Sequence, residues 1–460
     1  MNREDLKFLV RSLVRSLDGE AFTRLVKTAP LADVAEALAP CSSAETSALL
    51  MTLTPDLRAA LFAYFSDRRQ DQLLQIMPAT AVVELFKHLP SDDRADAFNR
   101  LSESARQRLL PALANSERED LIKLAGYEQG TAGSEMTSEY ATLIASMTVE
   151  QAFVALRASA FDRETIDVVF VLDTEQRLLG TLTLRTLVLA DPASKVSDLM
   201  TCEPVFVRAQ WPKEMAVEYI RRYDLLALPV LSSEDRMLGI VTVDDAMDIE
   251  KEQDATQLAR FGGTAALGGP DLDILLSPFN KMFGVRVFWL SILTFFGIFV
   301  SSIVAAQEDM LSEIIILAAF LAPIIDMGGN TGSQSAALVI RAMALGDVTL
   351  NWRHVWQVLK REIPVAMALG VSIGVLEVIL AYFSKGVGIE IMLVVGLSMM
   401  VCTMMGGVIG VLLPFLARRI GTDPATLSSP LITSIMDMVG VCIYFGFAYL
   451  FLSDMMTAAA

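Results

Sequence analysis

Residues Leu321–Leu338 read LAPIIDMGGNTGSQSAAL. The stretch lies inside an apolar run, yet it carries Asp326, Asn330 and Gln334, together with Pro323 and the glycines Gly328, Gly329 and Gly332. Lipid does not tolerate such residues at membrane depth, whereas a helix lining a polar passage does. In a helix, Asp326, Asn330 and Gln334 recur at i, i+4 and i+8 and share one face. That face offers a row of oxygen donors, the donor type a hard cation requires.

Around this stretch the chain from Phe283 onward is mostly apolar, with candidate spans near 285–306, 311–340, 363–383, 389–416 and 430–452. Each has the roughly 20 apolar residues that a bilayer core requires. Three further acids sit in or at these spans: Glu377, Asp437 and, at a helix start, Asp423. Asp437 falls about two turns into the last span, with Thr433 and Ser434 nearby, behind a start signal at Ser428, Ser429 and Pro430. No Lys or Arg at similar depth is available to neutralise these acids, so a structural ion pair explains them poorly and cation coordination explains them better. Asp326 has the alternative of being protonated or hydrogen-bonded near a helix break. Glu377 has the alternatives of protonated packing or an extracellular vestibule. Gly406, Gly407, Gly410 and Pro414 read as helix-packing residues. Carboxylate and amide oxygens together select a divalent hard ion, without choosing between Mg²⁺ and Ca²⁺.

The rest of the chain has another character. Of the 460 residues, with a net charge of −17, residues 1–273 hold 43 acidic against 28 basic side chains, leaving 11 against 9 for the apolar part. This acidity excludes nucleic acid as a partner and disfavours anionic lipid for the soluble half, while suiting divalent cations. A solvated acidic exterior is the alternative. Cys41, Cys202, Cys402 and Cys442 are scattered and match neither a disulfide framework nor a zinc site. MNREDLKFLV lacks the apolar core of a signal peptide, which places the soluble half in the cytosol. Lys281, Arg286, Arg341, Arg353, Lys360, Arg361, Arg418 and Arg419 then fall at inner ends, leaving Lys385 and the C-terminus outside. The expected location is a plasma or inner membrane.

Residues 1–128 read as helical, punctuated by Pro30, Pro40, Pro55, Pro78, Pro90 and Pro111. The similarity of Ala37–Phe65 to Gln75–Phe98 suggests stacked helix pairs. A second repeat follows. Asp167–Leu172 and Leu178–Leu184 match Ala227–Leu231 and Met237–Val243, each pair preceded by a helix, Val149–Ser159 or Lys213–Tyr223. With Leu199-Met200, Tyr223–Val230 (YDLLALPV) and Leu238–Asp245 (LGIVTVDD), this repeat resembles a tandem cystathionine-β-synthase (CBS) module. Such modules are usually ligand sensors, often for adenine nucleotides or cations. Asp248–Arg260 continues as a helix toward a glycine-rich hinge, Gly262–Gly269.

This order resembles the MgtE family of magnesium channels. The motifs that carry the resemblance are Pro323 followed by Gly328–Gln334, and Asp423-Pro424-Ala425 followed by Pro430 and Asp437. The fold class expected is a multidomain membrane protein: an all-α helical-repeat N-domain (1–130), an α/β tandem CBS module (136–198 and 199–249), a plug helix and hinge (250–280) and an α-helical five-span pore domain (281–460). The resemblance implies a homodimer with its pore at the subunit interface and Asp437 of both copies as the main Mg²⁺-selecting site. Asn330 would lie on the pore-lining helix and Asp423 at the cytoplasmic mouth. It also implies that regulatory Mg²⁺, bound among acids of the soluble half, closes the pore. The candidates are Asp92, Asp93, Asp96, Asp224, Asp245, Asp248, Glu250 and Asp254. Helix capping or solvation is the alternative for each. ATP at the CBS pair is a further expectation. The chain departs from the family where Ala255-Thr256 is followed by Gln257-Leu258 rather than acids, which weakens Mg²⁺ binding at the plug.

No Walker sequence appears, and His88 and His354 are isolated, so an enzyme is not expected. The main expectation is passive Mg²⁺ influx, shut off by cytosolic Mg²⁺. The rivals are a secondary exchanger coupled to Na⁺ or H⁺ and a membrane-anchored nucleotide sensor.

Overall fold

The computed structural model describes residues 3–160, 163–264, 272, 274, 277–426 and 429–459. It divides into two compact units, Met1–Lys251 and Glu252–Ala460.

The first unit begins with ten short α-helices, α1 (Arg3–Ser16) through α10 (Asn115–Ala125), among the described residues. Proline sets their boundaries. Pro55 occupies the first turn of Pro55–Ala63, and Pro30, Pro78 and Pro90 immediately precede Leu31–Leu38, Ala79–His88 and Ser91–Arg100. A fixed φ and a missing N–H cost nothing there. Alternate helices pack on one another, α1 on α3 (Leu31–Leu38), α5 (Pro55–Ala63) and α7 (Ala79–His88) in one row and α4 (Ser43–Leu50), α6 (Asp67–Ile76), α8 (Ser91–Arg100) and α10 in the other. This is the stacked-pair arrangement that the proline spacing suggests.

The second part of the unit holds two copies of one motif. In the first, β1 (Tyr140–Ile144) runs parallel to β2 (Thr165–Leu172) through the crossover helix α11 (Val149–Ser159), and β3 (Leu178–Thr183) returns antiparallel. After the short helices α12 (Leu184–Leu189) and α13 (Val196–Leu199) and strand β4 (Thr201–Cys202), the pattern recurs in β5 (Val207–Arg208), α14 (Lys213–Tyr223), β6 (Ala227–Leu231) and β7 (Met237–Thr242). Each copy's leading segment pairs with the other copy. Thr201 lies on β3 at Thr181, and Thr137 exchanges two 2.9 Å backbone hydrogen bonds with Ile240 of β7. The Leu-Gly dipeptides explain this close approach. A Cβ on Gly180 would lie 2.7 Å from the Thr201 carbonyl oxygen, and one on Gly239 would lie 2.6 Å from that of Thr137. The helix expected at Asp248–Arg260 is longer. Here α15 runs unbroken over Val243–Phe261, so the residue-249 boundary of the second CBS motif falls inside it. Of the expected hinge, residues 265–269 lie outside the described residues.

The second unit has five helices long and apolar enough to cross a membrane among the described residues. They are α16 (Phe279–Ala305), α18 (Ala318–Ala344), α19 (Trp352–Lys385), α20 (Ile389–Arg419) and α21 (Ser429–Ala459). The expected second span splits: Glu308–Glu313 forms a separate short helix, α17, ahead of α18. The third begins eleven residues earlier than hydropathy suggests, at Trp352, because the Asn351 side chain caps it by accepting from the Arg353 N–H at 3.1 Å. Helix α18 runs through Pro323 and all three glycines without a break, so the alternative of a helix break near Asp326 does not hold.

Candidate functional site

The site is built where α18 crosses α20 and α21. The glycines of α18 are its packing face. A Cβ on Gly406 would lie 2.2 Å from the Gly328 carbonyl oxygen, and one on Gly410 the same distance from that of Gly332. The two backbones are therefore in direct contact, which only paired glycines permit. On its other flank, Gly329 meets Thr433 and Gly440 meets Ile325, while the Ser429 hydroxyl donates to Ser333 at 2.8 Å. These pairs place α18 antiparallel to α21 and bring Asp326 to the level of Asp437.

With the glycines buried, the polar residues have one direction left. Asp326, Asn330 and Gln334 are all solvent-exposed in the isolated chain, and Asp437 is half-buried beside them. The Asn330 amide donates to Asp326 Oδ2 at 3.0 Å. Asp437 lies eight residues inside α21, about 12 Å from its start at 1.5 Å per residue. The face predicted from the i, i+4, i+8 spacing thus exists. It carries carboxylate and amide oxygens, and no side-chain cation pairs with them among the described residues.

Asp423 lies just before the last span. Its Oδ1 accepts from the Ala425 N–H at 2.8 Å, capping the turn Pro424–Thr426, and its Oδ2 pairs with Arg260 near the end of α15. Arg260 does not stand out in the sequence, because a cation in a charged helix gives no sign of its partner 163 positions away. Glu377 stands apart, half-buried on α19, which packs against α20 rather than carrying part of the polar face. Glu362 is a further acid that sequence reading missed. It accepts from the Ser335 hydroxyl of α18 at 2.5 Å and lies beside Gly407. Its run Lys360-Arg361-Glu362 reads as a loop until the early start of α19 is known.

The soluble unit gathers a second set of acids. Asp92 and Asp93 occupy the first turn of α8 (Ser91–Arg100), and Asp244 and Asp245 the first turn of α15. Each pair suits its own helix N-terminus. The fold, however, brings the two ends close enough for their charges to interact, and Glu164 interacts with both. The positioning contacts are the Ser91 hydroxyl with Thr137 at 2.9 Å, the Ser138 N–H to Ser91 at 2.8 Å and the Arg94–Glu139 ion pair at 2.9 Å. Burial holds Asp92 well above the usual carboxylate range, and the charges of Asp245, Asp93 and Glu164 add to it. Burial pushes Asp93 up to about 6 against the pull of Arg100. It lifts Asp96 to about 7 with the help of Glu135, and Glu164 to about 7 with that of Asp245. Asp245 rises to about 6, burial outweighing the hydrogen bond from the Thr242 hydroxyl.

Asp92 Oδ1 is buried with no hydrogen-bond partner, an orphaned oxygen that suits a hard cation. Among the described residues, no three His, Cys, Asp or Glu side chains converge on one point as metal ligands. The other candidates are not brought to this cluster. Asp224 ends α14 in the left-handed region with φ 51°, Asp248 and Asp254 are exposed along α15, and Glu250 pairs with Arg221 at 3.1 Å.

Known proteins agree with this layout. The magnesium transporter MgtE of Thermus thermophilus is 36% identical over 410 residues, which cover 88% of this chain and 89% of that protein. The chain belongs to the MgtE family. The Bacillus subtilis magnesium transporter MgtE is 30% identical over 80% of each chain. The family model described as a divalent cation transporter matches residues 321–447, which contain the whole polar face and Asp437. The MgtE intracellular N domain matches residues 29–130, and the CBS domain matches residues 196–252. Two solved structures resemble the soluble half. The soluble part of a magnesium transporter aligns with TM-score 0.52 and 27% identity, covering 55% of this chain and 99% of that one. The cytosolic domain of the Mg²⁺ channel MgtE in complex with ATP aligns with TM-score 0.50 and 31% identity, covering 53% and 99%. As a member of the MgtE family the chain is a multi-pass membrane protein and a transporter rather than an enzyme.

Proposed function

We propose that this chain conducts Mg²⁺ passively through a pore between two copies of itself, and that cytosolic Mg²⁺ closes that pore. The observation that carries this reading is the exposed row Asp326, Asn330 and Gln334, level with Asp437 in a mostly apolar helix bundle. In a single copy, that face would meet lipid at a prohibitive cost. Two copies facing each other across a water-filled passage relieve it, and Asp437 from each would select the doubly charged ion. Hydrated Mg²⁺ gives up water reluctantly, so a polar row that hydrogen-bonds to its shell suits it better than a tight cage of direct ligands. The names of the relatives support magnesium as the cargo.

The acidic cluster supplies the sensor in this reading. Asp92, Asp93, Asp96 and Asp245 repel one another when ionised, and a bound divalent cation removes that repulsion. Asp224, Asp248, Glu250 and Asp254 then act as outer charges that attract the ion. Asp423 sits at the cytoplasmic mouth, with the N-terminal unit cytosolic and the C-terminus outside. The crystallised ATP complex of a relative's cytosolic domain supports adenine-nucleotide binding by the soluble half.

The deciding experiment is Mg²⁺ uptake into liposomes by the full chain and by Asp437→Ala. Loss of uptake in a folded variant is expected, and unchanged uptake overturns the selectivity role. Deleting residues 1–250 should leave flux that internal Mg²⁺ no longer suppresses. Flux driven by an imposed Na⁺ or proton gradient, and indifferent to voltage, would transfer the reading to an exchanger.

A further inference from the structure

Away from the polar face, the membrane unit carries a groove that the transport reading does not use. Helix α19 runs antiparallel to α20, with Gly370 against Met400 and Gly374 against Gly396. The start of α19 and the end of α20 therefore lie at the same end of the bundle. Between them is a cavity of about 330 Å³ whose lining includes Val355, Leu412, Leu413 and Leu416, with Trp352 and Arg419 also in its wall. The Arg419 guanidinium lies over the Trp352 ring, 5.8 Å from its centroid. The groove opens outward: Trp352 is 71% exposed and Leu416 52%.

The 34 residues of α19 span about 50 Å, against a hydrocarbon core of about 30 Å. Its terminal turns consequently reach headgroup level, where Trp352 and Trp356 are suited to sit. This end also collects Arg353, Lys360, Arg361, Arg418 and Arg419. Among the described residues, no carboxylate pairs with any of the five. Cations left without carboxylate partners at headgroup depth, beside an apolar slot, have the composition of a site for a negatively charged amphiphile. A guanidinium is the side chain best shaped for a phosphate group.

We propose that this groove binds an anionic phospholipid, with one acyl chain along Leu412, Leu413 and Leu416 and the phosphate at Arg419, reinforced by the charge of Arg418. The acidity that disfavours anionic lipid belongs to residues 1–273, and this end of the membrane unit has the opposite sign. Charge complementarity also argues against a second copy as the occupant, since two such ends would repel.

The test is native mass spectrometry of the full chain in detergent. The probes are dioleoyl-phosphatidylglycerol, dioleoyl-phosphatidylcholine and glycerol 3-phosphate, added separately. Phosphatidylglycerol should be retained, and the zwitterionic lipid and the free phosphate should not. An Arg418→Gln/Arg419→Gln variant should lose retention by roughly tenfold or more, at about fivefold per arginine near an anionic headgroup. Leu413→Trp keeps both charges and fills the slot, so it should lose retention as well. Equal retention of the two lipids, or unaltered retention in the double-arginine variant, overturns the proposal. Binding of glycerol 3-phosphate as tight as that of the lipid, or loss of dimer rather than lipid in Leu413→Trp, also overturns it. Elution and helical content of both variants, unchanged from the parent, establish that they are folded.

Discussion

The acidic cluster of the soluble unit makes a pH-dependent prediction whose sign is fixed by geometry. The perturbation is a rise in pH from 5 to 7.5, in chelator, on the full chain. Asp245 normally titrates at 3.8 but is raised to about 6 in the folded protein. Between those values, the folded state keeps a proton that the opened state has released. The contribution is therefore complete below pH 4 and is lost as pH rises through 6, so protection falls with pH. A carboxyl held at about 6 instead of 3.8 corresponds to about 3 kcal/mol, or a factor of about a hundred. Asp92, Asp93 and Glu164 share the same repulsions, so the four acids titrate together and their contributions are not additive. The assay is hydrogen exchange of α8 and of residues 243–250, corrected for intrinsic exchange rates. From pH 5 upward only about one unit of that shift remains to be lost, so protection there should fall by about tenfold across this range, and Mg²⁺ at pH 7.5 should restore it. Asp245→Asn should flatten the slope. Protection that is level or rising with pH, or a slope unaltered in Asp245→Asn, would refute the reasoning.

Other perturbations follow from single contacts. Gly410→Ala sets a methyl 2.2 Å from a carbonyl oxygen, which should cost about 1–3 kcal/mol and lower the melting temperature of the detergent-solubilised protein. Gly239→Ala should cost a similar amount by pushing Thr137 off β7, read as faster exchange of the Thr137 and Ile240 amides. Arg260→Gln removes a half-exposed ion pair worth less than about 1 kcal/mol, so melting should hardly change. Flux at high internal Mg²⁺ should nevertheless rise, because the connecting helix loses its tie to Asp423; unaltered flux would show that the pair does not restrain the mouth. Glu362→Ala removes the interhelix acceptor of the Ser335 hydroxyl, which keeps the Thr331 carbonyl 3.0 Å away, so it should cost about 1 kcal/mol, and Glu362→Gln should recover most of it in the same melting assay.

Much of this protein could be read from local pattern alone. The helices Val149–Ser159 and Lys213–Tyr223 and the strand Ala227–Leu231 stand where periodicity and turn residues put them, because these signals act over a few neighbouring positions. The five apolar spans and the shared face of Asp326, Asn330 and Gln334 follow from hydropathy and helical spacing in the same way. Where α19 starts was less legible, since hydropathy reports where apolar residues begin and a helix capped by Asn351 begins earlier. That difference hid Glu362.

Pairings across long separations were decided only by the tertiary structure. The sequence carries no mark that Arg260 meets Asp423, that Asp92 approaches Asp245, or that Gly328 and Gly406 touch. Each is a contact between surfaces whose shapes are known only once the chain has packed. The acids at 92, 93, 244 and 245 are ordinary helix-starting residues one by one. Burial and mutual repulsion make them unusual, and both depend on where other elements lie. Sequence thus determined the kinds of element and the chemistry they carry, while packing selected which charges face one another and which lose their water.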